Sequence, residues 1–244
     1  MMEGKITLEL NGQIWSIGIN RPDKRNALDG AMFDALANAL LLAQSDIRVH
    51  CVLLHGASDS FCSGHDTAAF GTLWPQAADG AVRRCINAFS EQLKPLLAAV
   101  NGAAVGFGAT MLLHADWVVA GESAMFRFPF ADLGIVPEAG ATALLARRVG
   151  DLTARDWLLS GRPIAAAEAL QRGFVSRVVP NANVRAAANE YALRLAAKPP
   201  RALQAARRLL QEGATLPVRE AIENELVHLN TFIPAVTWTS SGHG

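Results

Sequence analysis

The chain has 244 residues, 51% hydrophobic and 18% charged, a composition that suits one sizeable folded core and excludes a disordered or fibrous polymer. Its 22 basic and 22 acidic residues cancel to a formal net charge of zero, which leaves no broad footprint for nucleic acid or an anionic membrane surface. Three cysteines, Cys51, Cys62 and Cys85, lack CxxC or CxxH spacing, so they argue against a disulfide framework or a zinc site and favour a reducing, cytoplasmic setting.

The opening MMEGKITLEL has no apolar signal core. Two β-rich runs, Lys5–Leu10 and Ile14–Ile19, flank Asn11-Gly12, a strong hairpin signal. Behind the turn RPDKRN, Asp29 is placed to cap a helix whose apolar face is Met32, Phe33, Leu36, Leu40 and Ala43. Val49–Leu54 reads as a buried strand, SDSFCSGHD as a loop, and 80–93 as a helix. Leu96 to Leu113 is a stretch of 18 uncharged residues, long enough to raise the question of a membrane helix. Asn101 and three glycines interrupt it, so a strand, a glycine turn and a buried helix account for it better. Trp117–Ala120 and Ser123–Phe128 predict further strands, and the pattern turns helical from about Ala141. Strands alternating with helices through residues 1–120 predict an α/β architecture.

Three glycine-bearing turns follow apolar strands: Ser63-Gly64-His65-Asp66, Gly106-Phe107-Gly108 and Pro137-Glu138-Ala139-Gly140. Glycine there lets backbone N–H groups approach a ligand closely, and two such turns converging on one point can form an oxyanion hole. Any single one of them is better explained as a tight turn. Gly106-x-Gly108 is no dinucleotide fingerprint, because Met111 stands where the third glycine belongs.

Taken in order, four segments resemble the crotonase superfamily, the enoyl-CoA hydratase/isomerase family. They are Asn20-Arg21-Pro22 with Asn26-Ala27-Leu28; Phe61-Cys62-Ser63-Gly64-His65-Asp66; Ala99-Val100-Asn101-Gly102 through Gly106 to Asp116; and Leu133-Gly134 through Gly140. Phe174-Val175 to Val179 fits a later family segment. The resemblance implies a spiral of ββα turns over residues 1–190 with a helical trimerisation region over 191–244, assembled as a homotrimer or a pair of trimers. It implies an acyl-CoA thioester as substrate, its carbonyl held by the backbone N–H groups of His65 and Phe107. Lys24, Arg25, Ala27 and Leu28 would lie along the CoA moiety. Ser63, Gly64, Asp66, Gly106, Phe130, Leu133 and Pro137 would complete the binding surface, Ser63 standing where the family usually has alanine.

The reaction is argued from single positions. The two glutamates of the family's hydratases fall, by resemblance, on Thr110 and Phe130, neither of which ionises. Glu138 instead matches the glutamate of the peroxisomal-type Δ3,Δ2-enoyl-CoA isomerases, in a Pro-Glu-x-Gly segment. An apolar pocket lined by Phe107, Phe130 and Leu133 would raise its pKa toward the range of tuned catalytic carboxylates. One base suffices to move a double bond through a thioester enolate, so the expectation is an isomerase with Glu138 as base. A hydratase, a dehalogenase, a thioester hydrolase and an inactive CoA-ester binder remain open. The His65 side chain is a weaker candidate base, Asp66 reads as a loop cap, and His114 beside Asp116 as structural. No metal cluster or redox-cofactor motif is visible, and CoA enters only as part of the substrate.

Overall fold

Asn11-Gly12 turns the chain between β1 (Ile6–Asn11) and β2 (Ile14–Ile19), an antiparallel hairpin with Gly12 at a left-handed φ of 61°. The computed structural model describes residues 6–236, so Lys5 and residues 237–244 lie outside the described residues. Helix α1 (Gly30–Ser45) starts at Asp29, whose carboxylate accepts the Met32 N–H at 3.0 Å.

Three ββα turns follow. The first places β3 (Cys51–Gly56) and β4 (Ser60–Cys62) before α2 (Phe70–Leu73) and α3 (Ala81–Ser90). In the second, β5 (Leu96–Val100) and β6 (Ala103–Val105) lead into α4 (Phe107–Thr110), which continues as a 3-10 turn to His114. The third has β7 (Trp117–Gly121) and β8 (Met125–Arg127), then α5 (Ala141–Val149) and α6 (Asp151–Ser160). β9 (Ile164–Ala165), α7 (Ala166–Gln171) and β10 (Arg177–Val179) close the sheets before α8 (Val184–Ala196), α9 (Pro200–Gly213) and α10 (Val218–Phe232).

First strands collect in a six-stranded sheet, β1-β2-β3-β5-β7-β10, and second strands in a four-stranded sheet, β4-β6-β8-β9. Apart from the β1–β2 and β8–β9 pairs the strands run parallel. This is the α/β spiral expected. The central strands are apolar throughout because both faces are covered. On β3, Val52 and Leu54 face the main core, whereas Cys51 and Leu53 face a second core built with Ala188, Ala192 and Ala196 of α8. Helix α8 thus spans residue 190 while packed on the large sheet.

Two sequence expectations change. The loop expected at SDSFCSGHD contains β4, and the helical region after Ala141 contains β9 and β10. Strands of two or three residues are too short for an alternating pattern to register. The three cysteines are buried and free. Among the described residues no helix is long and apolar enough to cross a membrane.

Arg207 ties α9 to the spiral. Arg207 is the buried residue of α9, and it donates from Nε to Asp116 Oδ2 (2.7 Å), from Nη2 to the His114 carbonyl (3.1 Å) and from Nη1 to the Gln92 carbonyl.

Candidate active site

Two glycines bring the second and third site segments together. Gly64 has φ of 90°, and a Cβ there would lie 2.7 Å from the Val105 carbonyl oxygen and 3.3 Å from the Phe107 nitrogen. A Cβ on Gly108 would lie 2.1 Å from the Cys62 carbonyl oxygen. Only residues without side chains let these turns pack so closely. Leu28 fixes the first turn from behind: its N–H donates to Gly64 O, and its carbonyl accepts from Asp66 N, both at 2.8 Å. That bridge uses the Gly64 carbonyl and the Asp66 N–H, on either side of His65, which leaves the His65 N–H directed away from Leu28. Phe107 opens α4, so its N–H is one of the donors that a helix start leaves without an intrahelical acceptor.

Asn26 anchors the turn that holds Ala27 and Leu28. It is fully buried with φ of 59°, and its amide nitrogen lies within hydrogen-bonding distance of the Ala57, Ser60 and Phe61 carbonyls. Asp66 turns from the site to accept Arg21 Nη1 at 2.8 Å and to cap Ala68 N. Ala27 and Leu28 are buried and contribute through their backbone. Lys24 and Arg25 are exposed; the Ser63 hydroxyl donates to the Lys24 carbonyl at 3.2 Å, so this cationic pair stands beside a residue of the pocket wall.

The turns border a cavity of about 520 Å³. Ser63, His65, Gly106, Phe107, Phe130, Leu133, Pro137 and Glu138 line it, as the sequence reading places them. Thr67, Phe70, Trp74, Val105, Pro129, Ile135 and Val136 line it too, and that reading did not single these out for the site. Phe70 and Trp74 carried a signal: two aromatics four residues apart directly after the Ser-Gly-His-Asp turn. Gly64, Asp66, Lys24, Arg25, Ala27 and Leu28 lie behind or beside the cavity rather than in its wall.

Among the described residues lining the cavity, His65 and Glu138 are the ionisable ones. Their side chains are 7% and 15% exposed, with His65 Nδ1 3.5 Å from Glu138 Oε1. Burial raises the Glu138 carboxyl from 4.5 to about 7 and lowers the His65 imidazole from 6.5 to about 4. Near neutrality His65 is therefore uncharged, and the contact is an imidazole N–H facing a carboxylate rather than an ion pair. The Nε2 atom of His65 is buried without a partner, among the rings of Phe33, Phe70, Trp74 and Phe107. A lone pair tolerates those surroundings better than an N–H, which assigns the proton to Nδ1. Thr110 is fully buried and spends its hydroxyl on the Phe107 carbonyl at 3.3 Å, and Phe130 is part of the apolar wall.

This arrangement can take a proton from one face of a bound molecule with a single carboxylate. Only its ionised form is a base, so activity should fall about tenfold per pH unit below roughly 7 and level off above. A kcat/KM profile without a limb between pH 6 and 8 would refute Glu138 as the base.

The description enoyl-CoA hydratase/isomerase fits residues 9–237. The chain is 37% identical over 219 residues to the 2,3-dehydroadipyl-CoA hydratase of Escherichia coli, covering 85% of this chain and 82% of that protein. It is 33% identical over 230 residues to enoyl-CoA delta isomerase 2 of Rattus norvegicus, covering 92% of this chain and 59% of that longer protein. The crystal structure of an enoyl-CoA hydratase/isomerase from Pseudoalteromonas atlantica superimposes with a TM-score of 0.83 at 36% identity, over 92% of this chain and 89% of that one. With the order of segments, the spiral and these likenesses in agreement, the chain belongs to the enoyl-CoA hydratase/isomerase family.

Proposed function

We propose that this enzyme is a Δ3,Δ2-enoyl-CoA isomerase with Glu138 as its one base. The observation that carries the reading is the set of ionisable groups: a desolvated carboxylate at Glu138, and Thr110 and Phe130 where the family's hydratases have their glutamates. Hydration needs a water held and deprotonated, and a proton delivered to carbon; Thr110 and Phe130 can do neither. A double-bond shift needs only one proton moved.

In the proposed reaction the Glu138 carboxylate removes a proton from C2 of a 3-enoyl thioester. The C–H electron pair becomes the C1–C2 double bond of a dienolate, and the charge moves onto the thioester oxygen. The His65 and Phe107 N–H groups stabilise that oxygen, each donor of such a hole being worth roughly 2.7–4 kcal/mol of barrier. Glu138, now a carboxylic acid, gives the proton to C4, leaving the double bond between C2 and C3 and the carboxylate restored. The neutral His65 Nδ1–H faces the carboxylate in both resting states. Lys24 and Arg25, beside Ser63, are the cations for the phosphates of CoA.

Hydratase names predominate among the relatives, and that favours hydration as the second reading. A paired assay separates the two. With a 3-enoyl-CoA the ultraviolet absorbance of the conjugated thioester should grow; with a 2-enoyl-CoA it should hold nearly steady. Loss of absorbance from the 2-enoyl substrate at a comparable rate would make the enzyme a hydratase.

The proposed assembly is a trimer or a pair of trimers. Supporting it, α10 buries no residue and carries Val218, Ile222, Leu226 and Leu229 exposed at helical spacing. Light scattering of the assayed protein should return three or six chain masses; a single-chain mass would rule the assembly out.

A further inference from the structure

Glu138 sits on backbone that does not hold itself. The next residue, Ala139, has φ of 53°, and Gly140 follows at 73°. Two left-handed residues in succession turn the chain sharply, and alanine does not adopt that conformation unless its surroundings impose it. One end of the turn is tied locally, by Ala141 N donating to the Glu138 carbonyl at 3.0 Å. The other end is tied from a different ββα turn: His114 Nε2 lies 3.0 Å from the Ala139 carbonyl oxygen. A carbonyl only accepts, so Nε2 carries the proton and the ring is the neutral tautomer. Burial, which holds the His114 pKa below its usual value, agrees with that form.

His114 is itself immobilised. Its carbonyl accepts Arg207 Nη2, and its ring lies against Phe89 with centroids 6.1 Å apart. It is not part of the cavity wall, so it cannot touch substrate there. We infer that His114 is a positioning residue for Glu138, fixing through the Ala139 carbonyl the turn from which the carboxylate reaches the substrate. The inference rests on Glu138 being the base. A base that must meet C2 and then C4 from one anchor has little positional latitude, and a misplacement of about 1 Å costs roughly 10²-fold in rate.

The test compares His114→Leu with His114→Gln, whose amide nitrogen stands at the same reach from Cα as Nε2. With a 3-enoyl-CoA, His114→Leu should lose roughly 10- to 100-fold in kcat with KM unchanged, whereas His114→Gln should keep most of the wild-type rate. Thermal melts of both variants set an assay temperature well below unfolding. Entry of solvent deuterium at C2 of a saturated acyl-CoA is read in parallel, because it reports proton removal without any double-bond shift. Wild-type kcat in His114→Leu, or an equal loss in the folded Gln variant, would overturn the proposal. A wild type inert with 3-enoyl-CoA but active in exchange would refute the isomerase alone, and the exchange rates would then decide on His114. If the wild type does neither, Glu138 is not a base and the proposal falls with it.

Discussion

Glu138→Gln should lower isomerisation by about 10³-fold or more while leaving acyl-CoA affinity nearly intact. General base catalysis contributes roughly 10²–10⁴-fold, and among the described residues of the cavity wall His65 is the other group that could accept a proton. With its imidazole lowered to about 4, His65 is a poor substitute base near neutrality. The same substitution has a stability consequence of opposite sign. The folded-state pKa of Glu138 is raised from 4.5 to about 7, so the native state holds the proton more tightly than the unfolded chain. The stability this contributes is complete below pH 4.5 and is lost as pH rises through 7. Glutamine never takes the charge, so at pH 8 the variant should be more stable, by on the order of 2–3 kcal/mol, with a Tm several degrees higher. Near pH 4 the two melts should converge. Equal Tm values at pH 8 would mean that the carboxylate is not desolvated, and turnover surviving in the variant would mean that another group is the base.

Gly64→Ala should reduce kcat by roughly 10²–10³-fold, the loss typical of one missing oxyanion donor. The new Cβ would meet two backbone atoms, Val105 O at 2.7 Å and Phe107 N at 3.3 Å, neither of which can rotate away. Relief requires the 63–66 and 106–108 turns to separate, and the proposed oxyanion hole depends on their closeness. Gly12→Ala separates this from the cost of a left-handed alanine. Gly12 has φ of 61° with nothing within 4 Å of its added Cβ, and it lies in the hairpin turn. It should cost about 1–2 kcal/mol of stability and leave kcat alone. If the two variants lose activity alike, strain and not the closeness of the turns explains the first.

Much of this was legible in the sequence, for physical reasons. β3 and β5 are covered on both faces and so appear as unbroken apolar runs, and Asp29 marks the start of α1 because its carboxylate accepts an N–H that the first turn leaves unpaired. Glu138 stands out because its Pro-Glu-x-Gly segment resembles that of the family's isomerases. Strands β4 and β9 were not legible: three and two residues, respectively, specify no period. Phe70 and Trp74 were passed over because aromatics behind a polar loop resemble any core residues until the cavity is seen. His114 was read only as structural, since its partner is a carbonyl 25 residues further along the chain and a backbone oxygen leaves no mark in a sequence.

Arg207 gives the C-terminal helices a bearing on proton transfer that their distance along the chain conceals. Its guanidinium reaches Gln92, His114 and Asp116 at once, and the Asp116 oxygen that it shares also receives the Leu96 N–H. If α9 lifts away, the Gln92 and His114 carbonyls lose their donor together, while Asp116 keeps only the Leu96 N–H. Detachment withdraws the donor from the very residue whose ring holds the Ala139 turn. A chain nicked between α8 and α9 would keep its two sheets and lose its aim, so damage at the periphery would appear first as a kinetic defect and only later as unfolding.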